Sequence, residues 1–262
     1  MRNNFELPVI KTLLVIAFFA PAHFSFSQES DSIKQTAQFN GAVTLTTKGI
    51  STIPNLTLGK PAVIFDLSIG KRKLFFEPQL RFALEGKPWS FLFWWRYELE
   101  KSDKFLLKIG THPALAFKTI KIEDNGETKE LIRVQRYFAG ELAPSYFINK
   151  NFSVGMYYLY SYGIEKTDIT KHTHFISVRS NISNINISDH IYMRLNPQFY
   201  YLKMDAFDGT YFNGTLAFSK RNFPLSVSAL VNKAIHTRIP VGEDFIWNIS
   251  LIYNFSKKYL EI

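Results

Sequence analysis

Two neighbouring stretches constrain the fold more than any other feature of the chain. Residues 74–84 place Leu74, Phe76, Pro78, Leu80, Phe82 and Leu84 at every second position, against Phe75, Glu77, Gln79, Arg81, Ala83 and Glu85. Residues 89–99 repeat the arrangement, with Trp89, Phe91, Phe93, Trp95, Tyr97 and Leu99 against Ser90, Leu92, Trp94, Arg96, Glu98 and Glu100. A period of two sends alternate side chains to opposite faces, so each stretch reads as a strand with one apolar and one mostly polar face. Gly86-Lys87-Pro88 between them is a turn.

The same alternation recurs along the chain. It appears at residues 39–45, 63–69, 105–117, 133–146, 152–162, 191–201, 212–219, 223–231 and 245–255, with a less regular stretch near 173–182. Twelve strands are expected. No segment sustains a 3.6-residue period, and nothing marks a linker or a second domain. Short polar connectors follow the second, fourth, sixth and tenth strands (70–72, 100–104, 149–151, 220–222), and longer ones are expected at 47–60, 118–130, 163–171 and 233–243, with 86–88 short and 183–190 long as exceptions to the alternation.

Apolar faces of eleven residues exceed the 5–6 residues typical of a soluble sandwich strand and match what crosses a bilayer at a tilt. The mean hydropathy of −0.06 is then the average of two opposed faces. The expected architecture is all-β: a single antiparallel up-and-down transmembrane β-barrel of about twelve strands over residues 37–262. An even strand count puts both termini on the short-turn, periplasmic side. Trp89, Tyr97, Tyr162 and Tyr253 fall near the ends of apolar stripes, where an aromatic girdle is expected.

The N-terminus carries Arg2 and Lys11, an apolar stretch at 13–20, and small residues at Ser25 and Ser27 before Gln28. This is the order of a secretory signal peptide, and the apolar stretch is too short to span a membrane as a helix. Residues 1–27 are read as the signal and 28–36 as a short polar tail, with the bacterial outer membrane as destination. Cleavage removes Arg2, Lys11 and Glu6 and takes the net charge from +9 to +8.

Three stretches carry a resemblance: Ser25-Phe26-Ser27-Gln28 at the cleavage point, Glu141-Leu142-Ala143-Pro144-Ser145-Tyr146, and the final strand at 245–255. In these the chain resembles the small outer-membrane β-barrel proteins of the Bacteroidetes. It departs from many outer-membrane barrels in ending Lys257-Lys258-Tyr259-Leu260-Glu261-Ile262 rather than on an aromatic assembly signal. Asp31-Ser32-Ile33 also resembles the O-glycosylation sequon of that phylum.

The candidate functional residues are the charges on the polar faces: Glu77, Arg81, Glu85, Arg96, Glu98, Arg133, Glu141 and Arg194, with Gln198. Facing a lumen, they either pair and fill it or form a selectivity zone for a small, anionic solute. A channel for small polar solutes is the leading expectation. A structural or accessory barrel of an envelope complex, plugged by its own salt bridges, is the alternative. A lipid-modifying enzyme comes third. His174 and Ser177 are three apart and so on opposite faces of a strand, which argues against a dyad. His172 and His174 share a face but lack a visible third ligand, so no metal and no cofactor is expected. With no Cys there is no thiolate chemistry. The basic residues form no stripe, so lipopolysaccharide, outer-membrane lipid and envelope proteins are the expected partners, and nucleic acid is not.

Overall fold

The computed structural model describes residues 36–124, 127–167, 169–240 and 242–260. The signal segment, almost all of the polar tail and Asp31-Ser32-Ile33 lie outside the described residues.

Twelve strands run β1 (Thr36–Thr46), β2 (Ala62–Lys71), β3 (Leu74–Ala83), β4 (Pro88–Lys101), β5 (Phe105–Asp124), β6 (Glu127–Asn149), β7 (Phe152–Gly163), β8 (His172–Asn186), β9 (Ile191–Met204), β10 (Phe207–Lys220), β11 (Leu225–Thr237) and β12 (Phe245–Leu260). Each pairs antiparallel with its sequence neighbours, and β1 pairs with β12 from Thr36↔Leu260 to Thr46↔Ser250, which closes the barrel. Closure pairs every strand with a neighbour on each side, which removes the open edges of the barrel wall.

The period of two sorts the side chains as expected. Phe199 is 59% exposed on the outer wall, where Met156, Val178, Trp247, Ile249 and Leu251 also lie. An outer row of rings, Phe65, Phe82, Phe91 and Phe117, crosses β2 to β5 with successive centroids 6.2, 5.2 and 4.9 Å apart. The opposite face is polar over most of its height, with Gln135, Glu141, Ser177, Asn213, Asn232, Asn248 and Ser250 buried inside.

The connectors differ from the expectation in two places. Residues 118–130 are not a loop for most of their length. They continue the β5–β6 ladder from Lys118↔Arg133 to Asp124↔Glu127, beyond the last partners of β4 and β7 at Ala116 and Tyr137. Thr119, Ile120 and Ile122 opposite Ile132, Leu131 and Lys129 keep β propensity high there, so the hairpin extends. The eighth strand is likewise longer than 173–182, because pairing with β9 resumes at Ile185 after a bulge. Arg72, Asp205 and Asn222 adopt positive φ of 56, 51 and 57° in tight turns, a region that Asn and Asp tolerate better than most residues.

Candidate functional site

The long β1–β2 connector sets the geometry of the interior. It knits itself together: the Gly49 amide donates to the Lys60 carbonyl at 2.8 Å, and the Leu58 and Gly59 amides donate back to the Gly49 carbonyl at 3.0 and 3.1 Å. A short 3-10 helix, Pro54–Leu56, forms its tip. Ile53 packs on a buried cluster of Phe175, Tyr200, Leu202, Met204, Tyr211 and Ile239. That cluster belongs mainly to β8, β9 and β10, well round the barrel from β1, so the loop crosses the lumen to reach it. Leu202 is 0% exposed, and this part of the interior is packed like a soluble core.

Trp89 holds the loop tip. Its indole N–H donates to the Leu56 carbonyl at 2.7 Å, and the Arg81 guanidinium lies 5.0 Å from its ring. This corrects the girdle expectation for Trp89, which is 4% exposed and turned inward. The cause is a β-bulge: Arg81 pairs with Ser90 but Phe82 pairs with Pro88, so Trp89 is an extra residue out of phase with Phe91 and Phe93. Tyr97, Tyr162 and Tyr253 are exposed on the outer wall. Tyr97 and Tyr253 sit opposite Leu74 and Leu225 at the turn end, and Tyr162 opposite His172 at the loop end.

Below the loop tip the charges gather in two groups. The Arg96 guanidinium bridges two carboxylates. Its Nε and Nη2 donate to Glu141 at 2.5 and 3.2 Å, and its Nη1 donates to Glu77. Tyr157 donates its hydroxyl to Glu141 at 2.7 Å, and the Trp94 ring lies 4.2 Å from the guanidinium. Arg96 and Glu141 come from β4 and β6, with β5 between them. They meet because the intervening residue is Gly110, where a Cβ would lie 2.9 Å from Glu141 Oε1 and 3.0 Å from Arg96 Cγ. A Gly110→Val variant is expected to lose about 1–3 kcal/mol by overpacking. A lower denaturant midpoint at unchanged slope is the check.

In the second group Arg81 donates to Gln79, which donates to Asp66. Glu77, Arg96 and Tyr157 of the first group and Asp66, Gln79 and Arg81 of the second line a cavity of about 610 Å³ together with Asn55, Ser90, Leu92 and Leu159. His112, also on its wall, is buried with its ring centroid 3.9 Å from that of Trp94. A smaller, polar cavity of about 350 Å³ lies among Ser145, Arg179, Asn181, Asn196, Gln198 and Asn213.

The remaining candidates are placed apart. Glu98 pairs with Lys101 and Lys108 at 2.9 and 3.4 Å near the turn end. Gln198 donates to Ser177 at 2.7 Å. Arg194 sits opposite Ala217 on the inward phase of β9. Arg133 lies on the projecting hairpin, opposite Lys118. Glu85 corrects its expected place, because β3 ends at Ala83 and Glu85 lies in the exposed turn. There the hydrogen bond from Lys60 at 2.5 Å holds its carboxyl below the usual range. His172 and His174 face outward, their Nδ1 atoms 2.8 and 2.9 Å from the Tyr160 and Tyr158 hydroxyls.

Asp66, Gln79, His112, Tyr157 and Asn55 also line the cavity and are not among the sequence candidates. Strand phase places the first four inside, since each alternates with an outward residue. Asn55 has no such signal, because a loop carries no period.

No protein-family model matches the chain, and no curated protein sequence matches it. Solved structures do. The chain is similar to KdgM porin, solved in complex with disordered oligogalacturonate, at TM-score 0.51 and 8% identity over 83% of this chain and 99% of that one. NanC porin aligns at TM-score 0.49 and 10% identity over 85% and 100% of the two chains. An outer-membrane channel from Pseudomonas putida F1 aligns at 0.48 and 10% over 85% and 96%. The chain therefore has the fold of a bacterial outer-membrane porin: a closed, antiparallel, twelve-stranded barrel.

Proposed function

We propose that the protein is an outer-membrane channel of the Bacteroidetes type, exported by residues 1–27, that passes small polar solutes through a lumen narrowed by the β1–β2 loop. The observation that carries this reading is the cavity of about 610 Å³ beneath the loop tip, lined by Asp66, Glu77, Arg81 and Arg96 inside a porin-like wall. A barrel with a purely structural role has little reason to keep a cavity of that size, with four charged side chains on its wall, beside a packed apolar cluster. The test is conductance in planar bilayers together with swelling of liposomes loaded with small sugars or amino acids. Absence of both overturns the reading. It would leave the accessory barrel, which the apolar cluster around Leu202 favours.

The outer wall supports a bilayer placement with an uneven upper edge. On β8 to β10 the loop end is inverted: Phe175, Tyr200, Leu202 and Tyr211 are buried inside, whereas His172, Lys203 and Asp208 lie outside. Apolar inside and polar outside is the pattern of a wall in water or headgroups, so this segment rises clear of the hydrocarbon. Lipopolysaccharide headgroups are the proposed neighbours there. An arginine at Val178, whose ladder partners are outward Met156 and Phe199, is expected to cost about 2–4 kcal/mol. An arginine at His174, four residues nearer the rim on the same face, is expected to cost no more than about 1 kcal/mol. Unfolding of the two variants in lipid vesicles checks this, and equal costs would remove the inverted-rim assignment.

A further inference from the structure

We propose that the cavity beneath the loop tip is a binding site for an uncharged, hydroxyl-bearing small solute of the neutral sugar or polyol class, held by Asn55, Arg81 and Ser90. The proposal rests on the channel reading and deepens it, by giving the lumen a recognised solute.

Among the described residues, three buried side-chain polar atoms have no hydrogen-bond partner: Asn55 Oδ1, Arg81 Nε and Ser90 Oγ. All three residues line this one cavity. They arrive from three separate segments. Asn55 is on the loop tip, Arg81 on β3 and Ser90 on β4. The fold nevertheless brings them together. Ser90 is the ladder partner of Arg81, its neighbour Trp89 binds the carbonyl of Leu56, and Leu56 adjoins Asn55. A buried polar atom left unpaired carries its full desolvation penalty, so three around one space form a set that a bound molecule would satisfy.

The chemistry of the set selects the ligand. Arg81 Nε only donates, Asn55 Oδ1 only accepts, and the Ser90 hydroxyl does either. A carboxylate or phosphate dianion has no hydrogen to give Asn55. An ammonium group has no lone pair to receive from Arg81. A hydroxyl group supplies both, and several on one small frame can serve all three atoms.

Charge points the same way. The carboxylates on the wall, Asp66 and Glu77, are matched by Arg81 and Arg96. Arg96 is held between Glu77 and Glu141, and Gln79 links Arg81 to Asp66. An anion at Arg81 Nε would add negative charge beside Asp66 and Glu77, and Arg96 is already shared between Glu77 and Glu141, whereas a neutral solute adds none. Leu92, Leu159, Phe175 and Met204 complete the wall with apolar surface that suits the carbon face of a sugar ring. The volume falls within the range of about 300–1,000 Å³ of pockets that take small molecules.

The test uses the full mature chain in detergent micelles and compares three probes on one ring frame: D-glucose, D-glucuronate and D-glucosamine. Trp89 and Trp94 border the site and report binding by their fluorescence. Saturable quenching by glucose, at least tenfold tighter than by either charged probe, is the expected result. A Ser90→Ala, Asn55→Leu double variant with unchanged β circular dichroism should weaken glucose binding about thirtyfold, two hydrogen bonds at about 1 kcal/mol each. Tighter binding of glucuronate or glucosamine overturns the ligand class. No saturable binding of any probe, or binding indifferent to the double variant, overturns the site. Conductance without glucose binding removes this inference and leaves the channel. Glucose binding without conductance removes the channel reading and leaves a binding barrel.

Discussion

Replacing Arg96 with Met is expected to destabilise the barrel by about 3–5 kcal/mol, the cost of stripping a buried ion pair of one partner. The Arg96 guanidinium answers Glu77 and Glu141 together, and the Glu141 side chain is only 2% exposed. Without Arg96 two carboxylates remain close together with no cation between them. The Tyr157 hydroxyl still donates to Glu141, but one neutral donor does not balance a buried charge. Arg96→Lys should recover part of the loss and not all, because an ammonium cannot present the fork that engages both oxygens of Glu141 at once. Glu141→Gln should cost less than Arg96→Met, since Arg96 then keeps Glu77. Urea unfolding of the protein refolded into lipid vesicles measures all three. A change below about 1 kcal/mol for Arg96→Met would place the pair among solvent-screened surface bridges and refute its structural role.

The second large effect is on passage through the lumen. Excising residues 50–58 is expected to raise single-channel conductance several-fold, because the excised segment includes the residues from Ser51 to Leu56 that face the cavity and the Ile53 contact with the far wall. Trp89→Ala should act in the same direction to a smaller extent. It removes the indole donor to the Leu56 carbonyl and the ring beside Arg81, so the loop tip loses its anchor while the chain stays whole. The apolar cluster around Leu202 remains in both variants, so neither becomes a wide pore. Conductance unchanged in the excision variant would mean that the loop does not set the constriction. Conductance raised only by the excision, with Trp89→Ala silent, would place the loop's hold in its own hydrogen bonds to Gly49 rather than in the tryptophan.

Much of this site was legible before the structure, and the parts that were not have a common cause. Glu77, Arg96 and Glu141 could be placed on inward faces because each sits in phase with the alternation of its strand. Their meeting could not be read, since it depends on Gly110 leaving a gap on β5 for two side chains to cross. Glu85 shared the phase of Arg81 and still missed the lumen, because phase says nothing about where a strand stops. Trp89 looked like a girdle residue until the bulge shifted it by one position, which reverses a side chain's direction in a sheet. The β5–β6 hairpin reads as a loop in the sequence although its residues favour strands, because the charges at Lys118, Lys121 and Glu130 mask the period.

What the sequence determined by itself was the number of strands, their two faces and the membrane-type architecture. All of these follow from a backbone periodicity that operates within a few residues. What only the tertiary structure decided was how the interior is closed: the loop laid across the lumen, the bulge that turns Trp89 to hold it, and the cavity left between Asn55, Arg81 and Ser90. Those arrangements are contacts between segments far apart in the chain. They arise from ring closure and packing, which leave no repeating trace in the order of the residues.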